Sequence, residues 1–224
     1  GSTTENYEYL YPASANGIID DATRLKMLYE NMISPVIRKT SIVMSGLQDA
    51  IKYNIDKYEL VDNNVLLRSS SESYDGYSDG LWEKKTEIKE YDSNGNPVWI
   101  TDDSGSSTVI IWGYNNSLPV AQIQNATPEQ ICNVLNVDLD FKTMGNDLMN
   151  MMYLMQLRAL MPEAQVFTYT YQPLVGMISM TDPAGTIWNY TYDTCGRLKE
   201  TSTSWIAGPP TQTTKSYEYH YHNH

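Results

Sequence analysis

The 224-residue chain is expected to fold as a mainly β protein, an antiparallel sheet of hairpins with an N-terminal helix and a helical insertion between two repeats. Three observations predict this. Runs that alternate between polar and apolar residues recur about a dozen times, the period-two pattern of half-buried strands. Tight-turn signatures of the form Asp-x-x-Gly, at Asp92 to Gly95, Asp102 to Gly105, Asp182 to Gly185 and Asp193 to Gly196, separate such runs. The aromatic residues are 18 Tyr and 5 Trp against 2 Phe, which favours rings with a polar tip suited to strand faces that meet water.

Tyr7 to Tyr11 alternates and reads as a strand with its tyrosines on one face. Ser216 to Tyr221 has nearly the same pattern, so the terminal strands are candidate related repeats or sheet neighbours. From Asp20 the period changes: Leu25, Leu28, Tyr29 and Met32 fit an amphipathic helix with Asp20 and Asp21 at its start and Ser34-Pro35 as its stop. Val36 to Val43 and Ala50 to Leu60 read as strands joined around Ser45-Gly46, and Asn63-Asn64 as a further turn. Ser69 to Gly80 is polar and glycine-bearing, which predicts a long surface loop. Leu81 to Tyr91 returns to alternation, and Asn94-Gly95-Asn96-Pro97 closes the next hairpin, because Gly and Asn accept positive φ and Pro starts a strand without a ladder donor.

Two helices are expected in the insertion. Thr127 as N-cap, Pro128 at the first helical position and Gln130 at the capping-box position start a short helix ending near Asn136. The second runs from about Thr143 to Met161 by periodicity, with Leu148, Met152, Met155 and Ala159 on one face and Pro162 as its stop. That methionine stripe reads as filler packed on the sheet. Thr201 to Thr214, with Trp205 and Gly208-Pro209-Pro210, reads as a long hairpin loop.

The turns also repeat with their context. Tyr91 stands eleven residues before Asp102, and Tyr171 eleven before Asp182. Tyr192-Asp193-x-x-Gly196-Arg197-Leu198 resembles the tyrosine-aspartate (YD) repeat of the RHS family, large bacterial surface and secreted proteins. Tyr91-Asp92-Ser93-Asn94-Gly95 supplies a second copy, whose last turn departs: Tyr114-Asn115-Asn116-Ser117-Leu118-Pro119 replaces Tyr-Asp-x-x-Gly-Arg. The expected organisation is an N-terminal strand, helix and hairpins over 3–87, a first YD-like repeat over 88–124, the helical insertion over 125–163, and a second YD-like repeat with a C-terminal hairpin over 164–224. Repeat-turn residues are Tyr91, Asp92, Gly95, Asp102, Gly105, Asp182, Gly185, Tyr192, Asp193, Gly196 and Arg197.

A formal charge of −12 without a clustered Lys/Arg footprint argues against nucleic acid and anionic membrane as partners, and no apolar run approaches a membrane span. Gly1-Ser2 reads as a cloning remnant, and the missing initiator Met and leader suggest a piece of a longer protein. Cys132 and Cys195 are too few for a disulfide framework and read as unpaired thiols.

The sequence contains no HExxH, GxSxG, Walker loop or GxGxxG. Its 3 histidines, His220, His222 and His224, fall within the last five residues, so no Ser-His or Cys-His catalytic pair is available elsewhere. No metal or cofactor is expected. Asp182-Pro183-Ala184-Gly185 resembles the Asp-Pro-x-Gly element of RHS self-cleavage, and its turn chemistry alone also accounts for it. Trp99, Trp188, Tyr190, Tyr192 and Trp205 are the candidate ligand-binding residues, since flat aromatics beside Asp and Asn stack on sugars. The resemblance implies a non-enzymatic structural or interaction module of a large extracellular or cell-surface protein, with carbohydrate, a surface protein or flanking parts of its own chain as partners. Alternatives are a segment of a toxin-encapsulating β-shell, or a carbohydrate-active enzyme using clustered carboxylates.

Overall fold

The computed structural model describes residues 2–9, 19–29, 31, 35–44, 50–61, 65–75, 82–136, 148–206 and 212–218. Met32, Ser34, the Ser45-Gly46 and Asn63-Asn64 turns, Gly76 to Gly80, Thr143, Gly208-Pro209-Pro210 and the three histidines lie outside them. The fold is mainly antiparallel β, as the alternating runs imply, and divides into two units, Gly1–Tyr91 with Ile100–Ser106 and Asp92–Trp99 with Ser107–His224.

In the first unit, β1 (Ser2–Tyr9), β2 (Val36–Met44), β3 (Ala50–Val61), β4 (Val65–Asp75) and β5 (Trp82–Tyr91) each pair with their chain neighbours. Opposite charges meet across β1 and β2. Glu8 lies opposite Arg38 and takes both its Nε at 2.8 Å and its Nη2 at 2.6 Å, a bidentate pair. Among the described residues the partner of β1 is thus β2.

Helix α1 (Asp21–Tyr29) starts where the acids predict: Asp20 Oδ1 accepts the Thr23 amide at 3.0 Å, an N-cap. Its buried face differs from the expected stripe. Leu25 is 62% and Tyr29 85% exposed, whereas Thr23 and Met27 are buried. Met27 joins Ile19 and Ile37 in a small core with Leu28 and Tyr58 against it, and that core selects the face. The expected loop after Ser69 is a second correction. Ser69 to Asp75 continue β4, with β3 on one side and β5 on the other, and Ser70 and Ser73 are buried. Ladder partners on both edges outweigh polar composition there.

β6 (Pro97–Asp102) begins at Pro97 in the second unit and its residues 100–102 belong to the first; the second unit holds β7 (Ser107–Gly113), β8 (Leu118–Gln124), β9 (Gln165–Gln172), β10 (Gly176–Thr181), β11 (Thr186–Tyr192), β12 (Leu198–Trp205) and β13 (Gln212–Ser216). From β7 onward each strand pairs antiparallel with the next. Burial alternates strictly along β7, as its sequence predicts. On β8 Val120 and Ala121 are both buried, because a bulge inserts Val120 between the Ile111–Ala121 and Trp112–Pro119 pairs. Thr201 to Trp205 belong to β12 and Gln212 to Thr214 to β13, so these parts of the expected long loop are strand.

Helix α2 (Pro128–Leu135) carries the full capping box: Thr127 Oγ1 accepts the Gln130 amide at 3.2 Å, Gln130 Oε1 accepts the Thr127 amide at 2.9 Å, and Asn136 ends it in the left-handed region. Helix α3 (Leu148–Leu160) presents Leu154 and Leu157 to a core of Val98, Val109, Ile111, Ile123, Ile131 and Val166. The methionine stripe faces outward, with Met152 58% and Met155 54% exposed, and Ala159 is exposed as well. Apolar residues surround this helix, so its period permits two faces, and the leucine face covers the sheet.

Candidate functional site

Four turns share one geometry. In each, the glycine amide donates to the Asp carbonyl at 3.0–3.1 Å, and the Asp amide donates at 2.8–3.0 Å to the carbonyl four residues on, that of Asn96, Ser106, Thr186 or Arg197. The Asp Oδ1 accepts the amide of that same residue at 2.8–2.9 Å. At Asp92, Asp102 and Asp193 it also accepts the amide two residues on, at 2.8–3.0 Å. The glycines have φ of +75° to +83°. This is the three-residue hairpin loop closed by a left-handed residue, in which Gly costs least.

The carboxylates are therefore occupied. The Arg197 amide, then its side chain, holds the Asp193 carboxyl below its ordinary value, with Arg197 Nε donating to Oδ2 at 2.7 Å. Asp102 is likewise held low, first by the Ser104 hydroxyl at 2.6 Å and then by the Ser106 amide. Among the described residues no group of three or more His, Cys, Asp or Glu side chains is placed to hold a metal.

The motif tyrosines act at longer range. Tyr91 donates its hydroxyl to the Arg68 carbonyl, and burial pushes its phenol up to about 12. Tyr192 donates to the Met177 carbonyl at 2.7 Å, beside a bulge in β10. In the departing copy, Tyr114, Asn115 and Asn116 have φ of 52°, 58° and 57°, and the Ser117 amide closes on the Gly113 carbonyl at 2.9 Å. Successive left-handed residues replace the Asp-x-x-Gly turn there. Asn96 ties the two turns of that copy, donating from Nδ2 to Asp92 Oδ2 at 2.9 Å and to the Asn116 carbonyl at 2.7 Å.

The sequence-derived ligand residues divide by environment. Trp99 is half-buried against the core, its indole N–H on Ser107 Oγ at 2.7 Å. Trp188, Tyr190 and Tyr192 share one face of β11, and Trp188 sits in register between Met180 and Thr203. Tyr169 lies opposite Met180 and Tyr190 opposite Thr201, so rings alternate with Met and Thr across this face. Burial raises the phenols of Tyr169, Tyr171 and Tyr190. Trp205 ends β12, on a cleft with Arg158, Pro183, Ala184, Gly185 and Ile206. Arg158 has no sequence signal beyond being a cation late in an apolar helix, and the reach of Tyr114 to Tyr171 has none. Cys132 is half-buried and Cys195 exposed.

Residues 175–204 match the RHS Repeat family model; they span β10 to β12 with both turns between them. No curated protein matches the chain. Among solved structures, a TcdB2-TccC3-Cdc42 complex is similar at 13% identity and a TM-score of 0.46. TcdB2-TccC3 without its hypervariable C-terminal region follows at 14% and 0.45, and the Photorhabdus luminescens Tc holotoxin pore at 13% and 0.43. Each alignment covers 97% of this chain and 11% of the other, so the chain spans about a tenth of the length of those it matches. No helix among the described residues is long and apolar enough to cross a membrane.

Proposed function

Because the chain carries an RHS repeat over residues 175–204, we propose that it is a non-enzymatic structural and interaction module, a length of hairpin wall within a larger extracellular or cell-surface protein. One observation carries the reading. The motif side chains bond the protein's own backbone: each Asp holds its turn, and Tyr91 and Tyr192 each hold a carbonyl of the preceding strand. The organisation over 3–87, 88–124, 125–163 and 164–224 belongs to this reading. Its first partners are flanking parts of its own longer chain, because β1 and β13 each have one sheet neighbour among the described residues.

Urea unfolding of Tyr91→Phe and Tyr192→Phe tests the structural role. Each variant loses stability by about 1 kcal/mol, the worth of one such hydrogen bond, and unfolding midpoints equal to wild type overturn the reading. Hydrolysis of a glycoside by the purified chain, abolished in Asp182→Asn at unchanged stability, would refute its non-enzymatic part.

A carbohydrate-binding role is favoured by one feature, the shared face of Trp188, Tyr190 and Tyr192. A glycan array with wild type and Trp188→Ala checks it: saturable binding lost in the variant supports that role, and binding retained in the variant removes it from this face.

A further inference from the structure

The unit Asp92–Trp99 with Ser107–His224 contains a cleft of about 270 Å³ lined by Arg158, Pro183, Ala184, Gly185, Trp205 and Ile206. Three separate parts of the chain build it: the last turn of α3, the loop between β10 and β11, and the end of β12. Its wall is fixed. The Ile206 amide donates to the Gly185 carbonyl at 3.0 Å, Thr186 pairs with Trp205, and a Cβ added to Gly185 would lie 3.5 Å from Ile206 Cδ1.

Arg158 is the cation of this cleft, and its bonding is incomplete. Nη2 donates to the Val166 carbonyl at 3.1 Å and to Thr168 Oγ1 at 3.2 Å, which holds the guanidinium plane against β9. Nε is buried without an acceptor, and both hydrogen bonds of the group use Nη2 alone. A guanidinium has five N–H donors in a fixed fork suited to a carboxylate. Burial also pushes its pKa below the ordinary value, opposed by the charge of Asp182. Asp182 forms no ion pair with it and spends Oδ1 on the Thr186 amide. A partly desolvated cation, fixed by two bonds and short of acceptors, gains from an anion that reaches it.

We propose that this cleft binds a small carboxylate with a flat apolar face, Arg158 supplying the charged donor and Trp205 the surface on which the ligand ring lies. A uronic acid and an aromatic carboxylate share that chemistry. The volume, just under the roughly 300–1,000 Å³ of drug-sized pockets, suits a single ring. Trp188, Tyr190 and Tyr192 do not line this cleft, so failure of either binding role leaves the other, and the structural module, in place.

The test is a titration of the full chain, followed by the indole N–H signals of its 5 tryptophans, with Trp205→Phe assigning one of them. Probes are sodium glucuronate, glucose and phenylacetate, to about 50 mM, a range that detects millimolar affinity. The Trp205 signal is expected to shift saturably with at least one carboxylate and not with glucose. Glucuronate alone identifies the ligand as a sugar acid, and phenylacetate alone as an aromatic acid. Arg158→Gln lowers affinity about tenfold or more. Asp182→Asn, which keeps the Oδ1 acceptor of the turn and removes the opposing charge, raises it. An unshifted Trp205 signal with both carboxylates, an equal response to glucose, or unchanged affinity in folded Arg158→Gln and weakened affinity in Asp182→Asn overturns the proposal.

Discussion

The hydroxyl of Tyr114 donates to the carbonyl of Tyr171 and accepts from its amide, each at 2.9 Å, and the two rings meet edge to face with centroids 5.6 Å apart. A side chain here does the work of a strand. The β8–β9 ladder ends at the Ala121–Thr168 pair, and Pro119, nearer the turn, has no N–H to offer. The backbone of Tyr171 beyond that point is satisfied by one phenol, which the left-handed turn at Tyr114 aims across 57 residues of sequence. Tyr114→Phe keeps the ring contact and strands both backbone groups, at a cost of about 1–3 kcal/mol. Urea unfolding gives the size of the loss, and hydrogen exchange its location: the Tyr171 amide loses protection and Thr168 keeps it.

Tyr192 makes the corresponding bond to Met177, and Gly176 shows how closely it approaches. At Gly176, where φ is +145°, a Cβ would stand 3.2 Å from the Tyr192 hydroxyl oxygen. At Gly105, φ is +79° and nothing lies within 4 Å. Gly105→Ala therefore meets backbone strain alone, about 1–2 kcal/mol. Gly176→Ala adds displacement of the Tyr192 hydroxyl and loss of its bond, so it costs about 1 kcal/mol more. Thermal melts of the two variants rank them, and equal losses contradict a close approach at Gly176.

Sequence legibility follows the range of each interaction. The Asp-x-x-Gly turns close within five residues, and the donors and acceptors that define them are written in that span. The Thr127 capping box is local in the same way. Ser69 to Asp75 look like a loop because nothing in that stretch names the strands on either side of it. The partners of Tyr114 and Arg158 likewise lie on other strands. For α1 and α3 the helix was legible and its face was not, since apolar residues at Leu25, Met27, Leu28, Met152, Leu154, Met155 and Leu157 allow more than one stripe.

Acid weakens the turns in a defined window. The folded values of Asp102 and Asp193 lie below the ordinary 3.8, so their charged forms are favoured by folding. The stability they contribute is fully present above 3.8 and is lost as pH falls through the lower folded values. Asn at both positions keeps an oxygen for the amides and cannot titrate. Melting temperature followed from pH 7 down to about 2.5 should fall more steeply below about pH 4 in wild type than in Asp102→Asn/Asp193→Asn. Parallel curves contradict the turn carboxylates as the source.

The two faces of α3 give the sharpest contrast. Leu154 is 1% exposed and contributes to the core that includes Ile131 and Val166, whereas Met155, the next residue, is 54% exposed. Leu154→Ala removes buried methyl groups from a packed site and leaves a cavity, a loss of about 2–5 kcal/mol. Met155→Ala removes a side chain that is half in water and adds a slightly better helix former, so its effect stays within about 0.5 kcal/mol. Urea unfolding of the two variants decides which stripe holds the helix to the sheet. If Met155→Ala is the costlier change, α3 is rotated about its axis relative to this structure, and with it the direction in which Arg158, three residues further along the helix, approaches β9.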